Sequence, residues 1–360
     1  GYGIFYPLPS QNEATDGGIN PPFIVDELSN FNTTPIPTKT TANMFAPLTP
    51  GHIVLTPPTF NQFDPYYPDP YIQEWNFTLQ KVVGRVLSLQ AAYVGSQGTN
   101  LNMALPLNVP TPAPGPIQSR RYNTSWGAVF FCENGSDSSY NALQATAETR
   151  SWHGLYLLWG YTWSKSLDNL SDVFGGANIQ NPYNLRNEWG ISDYNVPSRF
   201  TLSMTYDLPF LKNRHNLLSD TLGGWKVANI ITLQSGMPFT PIIATDQANT
   251  GQPQRANRIG SGILANPTIN EWFNAAAFAV PALYTYGTSA RNVLNGPGLS
   301  DWDFSLFKTF TLSRAHEGVQ AQFRGEFFNF TNTPAFGPPD GNIQSPTVGL
   351  SLIHISEPTR

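Results

Sequence analysis

Charge is scarce in this chain. Asp, Glu, Lys and Arg make up 12 % of its 360 residues, about half the usual share of a soluble protein. Cysteine is nearly missing: Cys132 stands alone, which excludes an internal disulfide framework and a Cys-based zinc site. No apolar run approaches the roughly 18 residues of a membrane-crossing helix. Lys and Arg form no cluster and the net charge is −5, which argues against nucleic acid as a partner. What is abundant is aromatic side chain, at 13 %, with 32 prolines and 30 glycines. That mixture disfavours a helical protein and favours many strands joined by turn-rich loops.

The clearest pattern lies at 301–330. Trp302, Phe304, Leu306, Lys308 and Phe310 share one face of a period-two alternation, with Asp301, Asp303, Ser305, Phe307 and Thr309 on the other. After a polar stretch at 313–318, Val319, Ala321, Phe323, Gly325 and Phe327 alternate with Gln320, Gln322, Arg324, Glu326 and Phe328. Side chains alternate across a strand, so this is a hairpin with one apolar and one largely polar face. Each arm has about ten residues, enough for a tilted strand to cross a bilayer core. An outward apolar face with aromatic ends and a polar inward face is the pattern of a barrel in lipid.

The rest of the chain repeats the unit. Residues 1–6 read as the end of a strand, and the proline-rich 7–70 as loop with a short strand near 23–28. Strands are expected at 71–83 and 87–93, joined by a tight turn at Gly84–Arg85, then at 140–150 and 155–163 around a turn at 151–154, and at 198–208 and 225–234. About eight clear strands result, in four hairpins. Long loops are expected at 96–138, 166–197 and 235–300, against short links elsewhere and an intermediate one at 209–224. Short turns at one rim and long loops at the other fit an outer-membrane barrel. A secreted or surface β-sandwich, acting as an adhesin or carbohydrate-binding protein, is the rival reading; it requires protein on both strand faces.

Several long blocks resemble TonB-dependent outer-membrane receptors of the Oar-like type. They are EWNFTLQ at 74–80, SYNALQATAE at 139–148, YTWSKSLDN at 161–169, the stretch 181–210, GWKVANIITLQSGMPFTP at 224–241, and DFSLFKTF with QFRGEFFNFTNTPAFG at 303–337. The resemblance runs through most of 1–350. It implies an all-β fold, an antiparallel transmembrane β-barrel of 22 strands of which this chain holds about 8–10. It implies also a Gram-negative outer-membrane location and ligand uptake driven through a TonB box. The partners it implies are outer-membrane lipid, the receptor's own plug domain, the TonB complex and an extracellular ligand. Plug, TonB box and signal peptide are not within these residues, so the chain is expected to belong to the C-terminal part of a barrel spanning 1–350. Residues 351–360, SLIHISEPTR, do not resemble a barrel-closing strand and are expected to be foreign to it.

No catalytic, cofactor-binding or metal site is expected, and no cofactor; the chain reads as a non-enzyme. Asp301 and Asp303 are read as lumen-facing acids at a strand end near water, and Arg324 with Glu326, Arg199 with Asp207 and Glu148 with Arg150 as lumen charges that pair with neighbouring strands. A glycosidase would rest on such loose carboxylate pairs alone. Lys81 and Lys308 fall on apolar faces, where snorkelling to headgroups at a strand end is expected. His52, His153, His215, His316 and His354 lie in separate loops or turns without metal-ligand spacing. Cys132 is expected to be packed. Asn76 and Asn329, both in N-x-S/T sequons, are expected within strands. Trp126, Phe130, Phe131, Trp272, Phe273 and Tyr284 lie in the long loops, where they either touch a ligand or pack the loops together; packing is favoured.

Overall fold

A computed structural model describes residues 1–7, 57–66, 68–172, 179–210, 223–311 and 319–351. The strand expected near 23–28 and all but the first residue of the tail at 351–360 lie outside them. Seventeen strands are described. The first nine are β1 (Tyr2–Phe5), β2 (Phe60–Phe63), β3 (Tyr71–Val83), β4 (Leu87–Leu107), β5 (Val129–Trp152), β6 (Leu155–Asp168), β7 (Gly190–Ile191), β8 (Ser198–Asp207) and β9 (Trp225–Gln234). Then come β10 (Pro238–Phe239), β11 (Ile242–Ile243), β12 (Gln254–Arg255), β13 (Asn257–Arg258), β14 (Phe278–Ala279), β15 (Leu294–Asn295), β16 (Leu299–Thr311) and β17 (Gln320–Phe327). Among the described residues helix is confined to single turns such as Ile117–Arg120 and Leu185–Glu188.

Eleven strands form one sheet in the order β1-β3-β4-β5-β6-β8-β9-β16-β17, with β2 added to β5 and β7 to β6. Every pairing along that path is antiparallel; β2 lies parallel to β5. Among the described residues the sheet does not close on itself.

The register converts the sequence alternation into a continuous outer band. Phe77 pairs with Tyr93, Tyr93 with Leu143 and Leu143 with Trp163. Further down, Trp159 pairs with Leu202 and Leu202 with Ile231, which faces Trp302. Directly opposed residues project to the same face, so the apolar rows join across seven strands. On β6 the band runs from Leu155 to Trp163, five rows that occupy the height of a bilayer core. No second sheet covers it among the described residues: Phe77 and Trp163 are each 63 % exposed. That is the arrangement of a lipid-facing wall, and a β-sandwich would have buried these rings. The opposite face carries Gln90, Thr146, Thr162, Thr201 and Thr232 in the matching rows.

Turn chemistry explains the short links. Val83 faces Leu87 across three residues led by Gly84 at φ 65°. His153 and Gly154 both take positive φ, 51° and 84°, which makes a two-residue turn whose twist matches the strands. The β5 strand therefore runs to Trp152, beyond the turn expected at 151–154.

About half of the expected loop at 96–138 is strand. The β4 and β5 ladder continues to Leu107 and Val129, with register shifts around Leu101. Outside lipid neither face needs to be apolar, so SQGTN and NGSDSS lose the alternation while keeping their backbone bonds. The real connection is 108–128, closed by Asn108, which receives Asn123 N at 2.8 Å and donates to the Gly127 carbonyl at 2.8 Å. The expected loop at 166–197 likewise yields its first residues to β6, which ends at Asp168. The 57–70 segment protects the projecting edge of β5: β2 pairs with Val129–Cys132, and Asn134 Nδ2 donates to the Pro68 carbonyl at 2.8 Å.

Two charged-residue expectations are corrected. Lys308 does not snorkel. It is 3 % exposed, donates from Nζ to the Gly223 carbonyl at 2.7 Å, and lies between the rings of Trp225 and Phe310. The link before β9 thus supplies its polar end, and two aromatic faces favour the cation. Lys81 is exposed, two residues from the end of β3. Arg324 pairs with Glu326 on its own strand at 3.6 Å and stacks over Phe307, rather than pairing across strands. Glu148 and Arg150 likewise meet along one strand, at 2.7 Å. Asp207 does pair with the neighbouring strand as expected, taking Lys226 on β9 at 3.1 Å. Asp303 accepts from the Asn329 amide at 2.9 Å. Asn329 lies beyond the end of β17, at φ 46°, whereas Asn76 is in β3 as expected.

Candidate functional site: the loop cap and its pocket

The rim of the long loops carries a folded cap. Its apolar centre is Phe239, Ile243, Ala256, Phe273, Ala277, Phe278 and Leu294, all from the 235–298 connection, with Ile343 and Val348 from the segment after β17 packed against it. Two-residue strand pairs hold it: β10 with β15, β11 with β12, and β13 with β14. Phe273 stacks edge-on against Phe239 and Phe278, and Trp272 donates from Nε1 to the Asn295 carbonyl at 2.8 Å. Packing is therefore the role of Phe273 and Trp272. Trp126 lies edge-on to Phe60, and Phe130 and Phe131 are residues of β5. Tyr284 is partly exposed, at φ 62°. Cys132 is 2 % exposed, packed as expected.

The seam between this cap and the 169–197 loop is polar and buried. The single turn Leu185–Glu188 presents Glu188, fully buried, to Arg255 on β12. The two ions meet twice, at 2.5 Å (Nη1 to Oε2) and 3.2 Å (Nη2 to Oε1). Such a fork holds orientation as well as charge. Gln180 closes the same seam: it accepts from the Arg255 amide at 2.9 Å and donates to the Gly287 carbonyl at 3.0 Å. Position 287 requires glycine, because a Cβ there would stand 1.8 Å from the Arg255 carbonyl oxygen.

A second arginine repeats the design. Arg291 donates to the Glu188 carbonyl at 3.1 Å and to Ser171 Oγ at 2.9 Å. Its Nη1 stands 3.0 Å from Asp168 Oδ1, off the direction of a hydrogen bond, so the contact is mainly coulombic. Asn292, at φ 54°, donates to Asp193 Oδ1 at 2.5 Å and to the Ile191 carbonyl at 2.7 Å. The 108–128 connection joins through Tyr183, whose hydroxyl donates to the Val109 carbonyl at 3.1 Å. Burial pushes the Tyr183 hydroxyl above the usual range. Burial near Tyr183 and Asp246 takes Tyr286 up to about 12.

Over this seam lies a cavity of about 550 Å³, within the range of small-molecule sites. Arg255 and Arg291 line it with their charges already committed to carboxylates, beside apolar Met237, Ile242 and Ile243; Asp193 and Tyr194 stand exposed at its edge. Such a pocket can hold a mostly apolar molecule with polar edges. Among the described residues no group of three His, Cys, Asp or Glu could hold a metal ion. Of the histidines only His153 is described, in the β5–β6 turn. Sequence reading did not single out Glu188, Arg255 or Arg291; their separation leaves no local signal.

A family model described as an outer membrane beta barrel domain matches residues 1–358. Among curated proteins none matches. The chain is similar to the outer membrane transporter YddB from Escherichia coli, with 13 % identity and a TM-score of 0.42, over 78 % of this chain and 31 % of that one. It thus spans about a third of that transporter's length. The unclosed wall with its outward apolar band and the match across nearly every residue agree: the chain belongs to the outer membrane β-barrel domain family and resides in the Gram-negative outer membrane.

Proposed function

We propose that this wall and cap serve a TonB-dependent receptor of the Oar-like type, a non-enzymatic importer. An extracellular ligand docks in the cap pocket before passage through the lumen past a plug domain. The observation that carries the reading is a preorganised cavity of about 550 Å³ built from loops tied together above a lipid-spanning sheet. Rigid loops on a rigid scaffold are where ligand capture belongs. Its blocks of receptor-like sequence at 181–210 and 224–241 include the ends of two of these loops.

The test uses the complete gene in its own host. Spent medium is compared by mass spectrometry among wild type, a deletion of the gene, a TonB-deficient strain and Met237→Trp, which fills the pocket. A solute consumed by wild type and left by the other three is the expected result. No difference between wild type and the deletion, or uptake that persists without TonB, refutes the proposal.

A further inference from the structure

The wall carries a second, outward niche. On β6 the apolar row ends at Trp163, and the next residue on the same face is Lys165. Across the sheet the rows are Tyr93–Leu143–Trp163 and, one step toward the cap, Gly95–Asn141–Lys165. The band therefore changes from apolar to polar between them, and that step marks the outer headgroup level. A groove of about 440 Å³ lies at this level, between Tyr93 and Leu143 on one side and Trp163 on the other, with Lys165 at its upper end. Its form is fixed by hydrogen bonds on its own face and behind it. Tyr93 donates its hydroxyl to Asn141 Oδ1 at 2.6 Å, and Ser164 holds the Val196 carbonyl at 2.8 Å. Asn195 Oδ1 accepts from the Ser166 amide at 2.7 Å, which sets Pro197 as the remaining wall.

We infer that this groove binds one phosphorylated acyl lipid of the outer leaflet, its phosphate on Lys165 and a chain along Trp163 and Leu143. Charge complementarity selects the occupant. Lys165 is exposed and is the charged side chain lining the groove, while the rest of the lining is apolar or already hydrogen bonded. A lysine at the headgroup level with an aromatic groove below it matches an anionic headgroup above a hydrocarbon chain.

The protein from its complete gene is purified from outer membranes, delipidated in mild detergent and titrated with phosphatidylglycerol, with native mass spectra counting bound lipid. Wild type is expected to hold one phosphatidylglycerol about fivefold more tightly than Lys165→Gln. It is expected to prefer it over a neutral monoglucosyl diacylglycerol by a similar factor. Trp163→Ala is expected to weaken both lipids alike; should that variant not fold, the Lys165 comparison decides alone. Lys226→Gln, on the lumen face, is expected to bind as wild type. Equal binding by wild type and Lys165→Gln, or an equal loss in Lys226→Gln, overturns the site.

Discussion

Replacing Glu188 by Gln keeps the shape of the cap seam and removes one charge. Glu188 is fully buried and its partner Arg255 is 5 % exposed, so solvent cannot take the carboxylate's place. The Arg255 Nε already lacks a hydrogen-bond partner, and its two Nη contacts to Glu188, at 2.5 and 3.2 Å, provide the compensating charge. Leaving a buried ion without its counter-ion costs about 3–5 kcal/mol. The barrel wall lies elsewhere, so the loss should stay local and appear as opening of the cap. Hydrogen exchange read by mass spectrometry on peptides covering 250–260 and 285–295 is the assay. Protection should fall by roughly two to three orders of magnitude in the cap, since 1.4 kcal/mol is about tenfold. Peptides from β8 and β9 should not change. The double variant Glu188→Leu with Arg255→Met removes both ions and should recover much of the protection. If Glu188→Gln stays within threefold of wild type, or the double variant opens as far as the single, the seam does not hold the cap.

Three further outcomes are expected. Leu202→Arg, on the lipid face of β8, should destabilise membrane-inserted protein by about 2–4 kcal/mol in denaturant titrations, whereas Ser203→Arg, on the lumen face, should cost under 1 kcal/mol; equal costs would refute the face assignment. Gly287→Ala forces a methyl against the Arg255 carbonyl and should make the 250–295 region sensitive to limited proteolysis while the heat-modifiable migration of the barrel persists. Unchanged proteolysis would mean that the close approach is not required. At Asp340, burial raises the carboxyl, but Ser345, the Asn342 amide and the Thr347 hydroxyl outweigh it and hold it below the usual range. A depressed folded value means stability that is present above the unfolded value and lost as pH falls through the folded one. Hydrogen exchange in 338–351, corrected for intrinsic rates, should therefore rise only in that acid window; loosening at neutral pH would contradict it.

The wall was legible in the sequence and the cap was not, for a physical reason. Lipid demands an apolar side chain at every second position, so Leu155, Leu157, Trp159, Tyr161 and Trp163 announce their strand and face. Above the membrane that demand ends. Ser96 to Asn102 then pair with β5 with no apolar alternation, and the sequence pattern ends the strand a dozen residues early. The cap core draws Phe239, Ile243, Phe273 and Leu294 from one long connection with no period, because two-residue strands leave none. Glu188 and Arg255 are 67 residues apart, and neither residue type predicts a buried partner. The burial of Lys308 leaves no local signal because Gly223 and Trp225, from the approach to β9 and its first residue, complete the cage that Phe310 begins.

The β4–β5 hairpin carries one more consequence. Beyond Gly95, β4 continues for twelve residues, about 40 Å of strand at the usual rise. The hairpin is therefore a rigid mast beside the cap, joined to it through the 108–128 connection, where Asn249 donates to the Ala113 carbonyl at 2.9 Å. A membrane that thins or thickens by a few ångströms shifts only which rows of the band are wetted. Arg255, Arg291 and their carboxylates lie above that change, so the cap seam is insulated from the lipid composition below it.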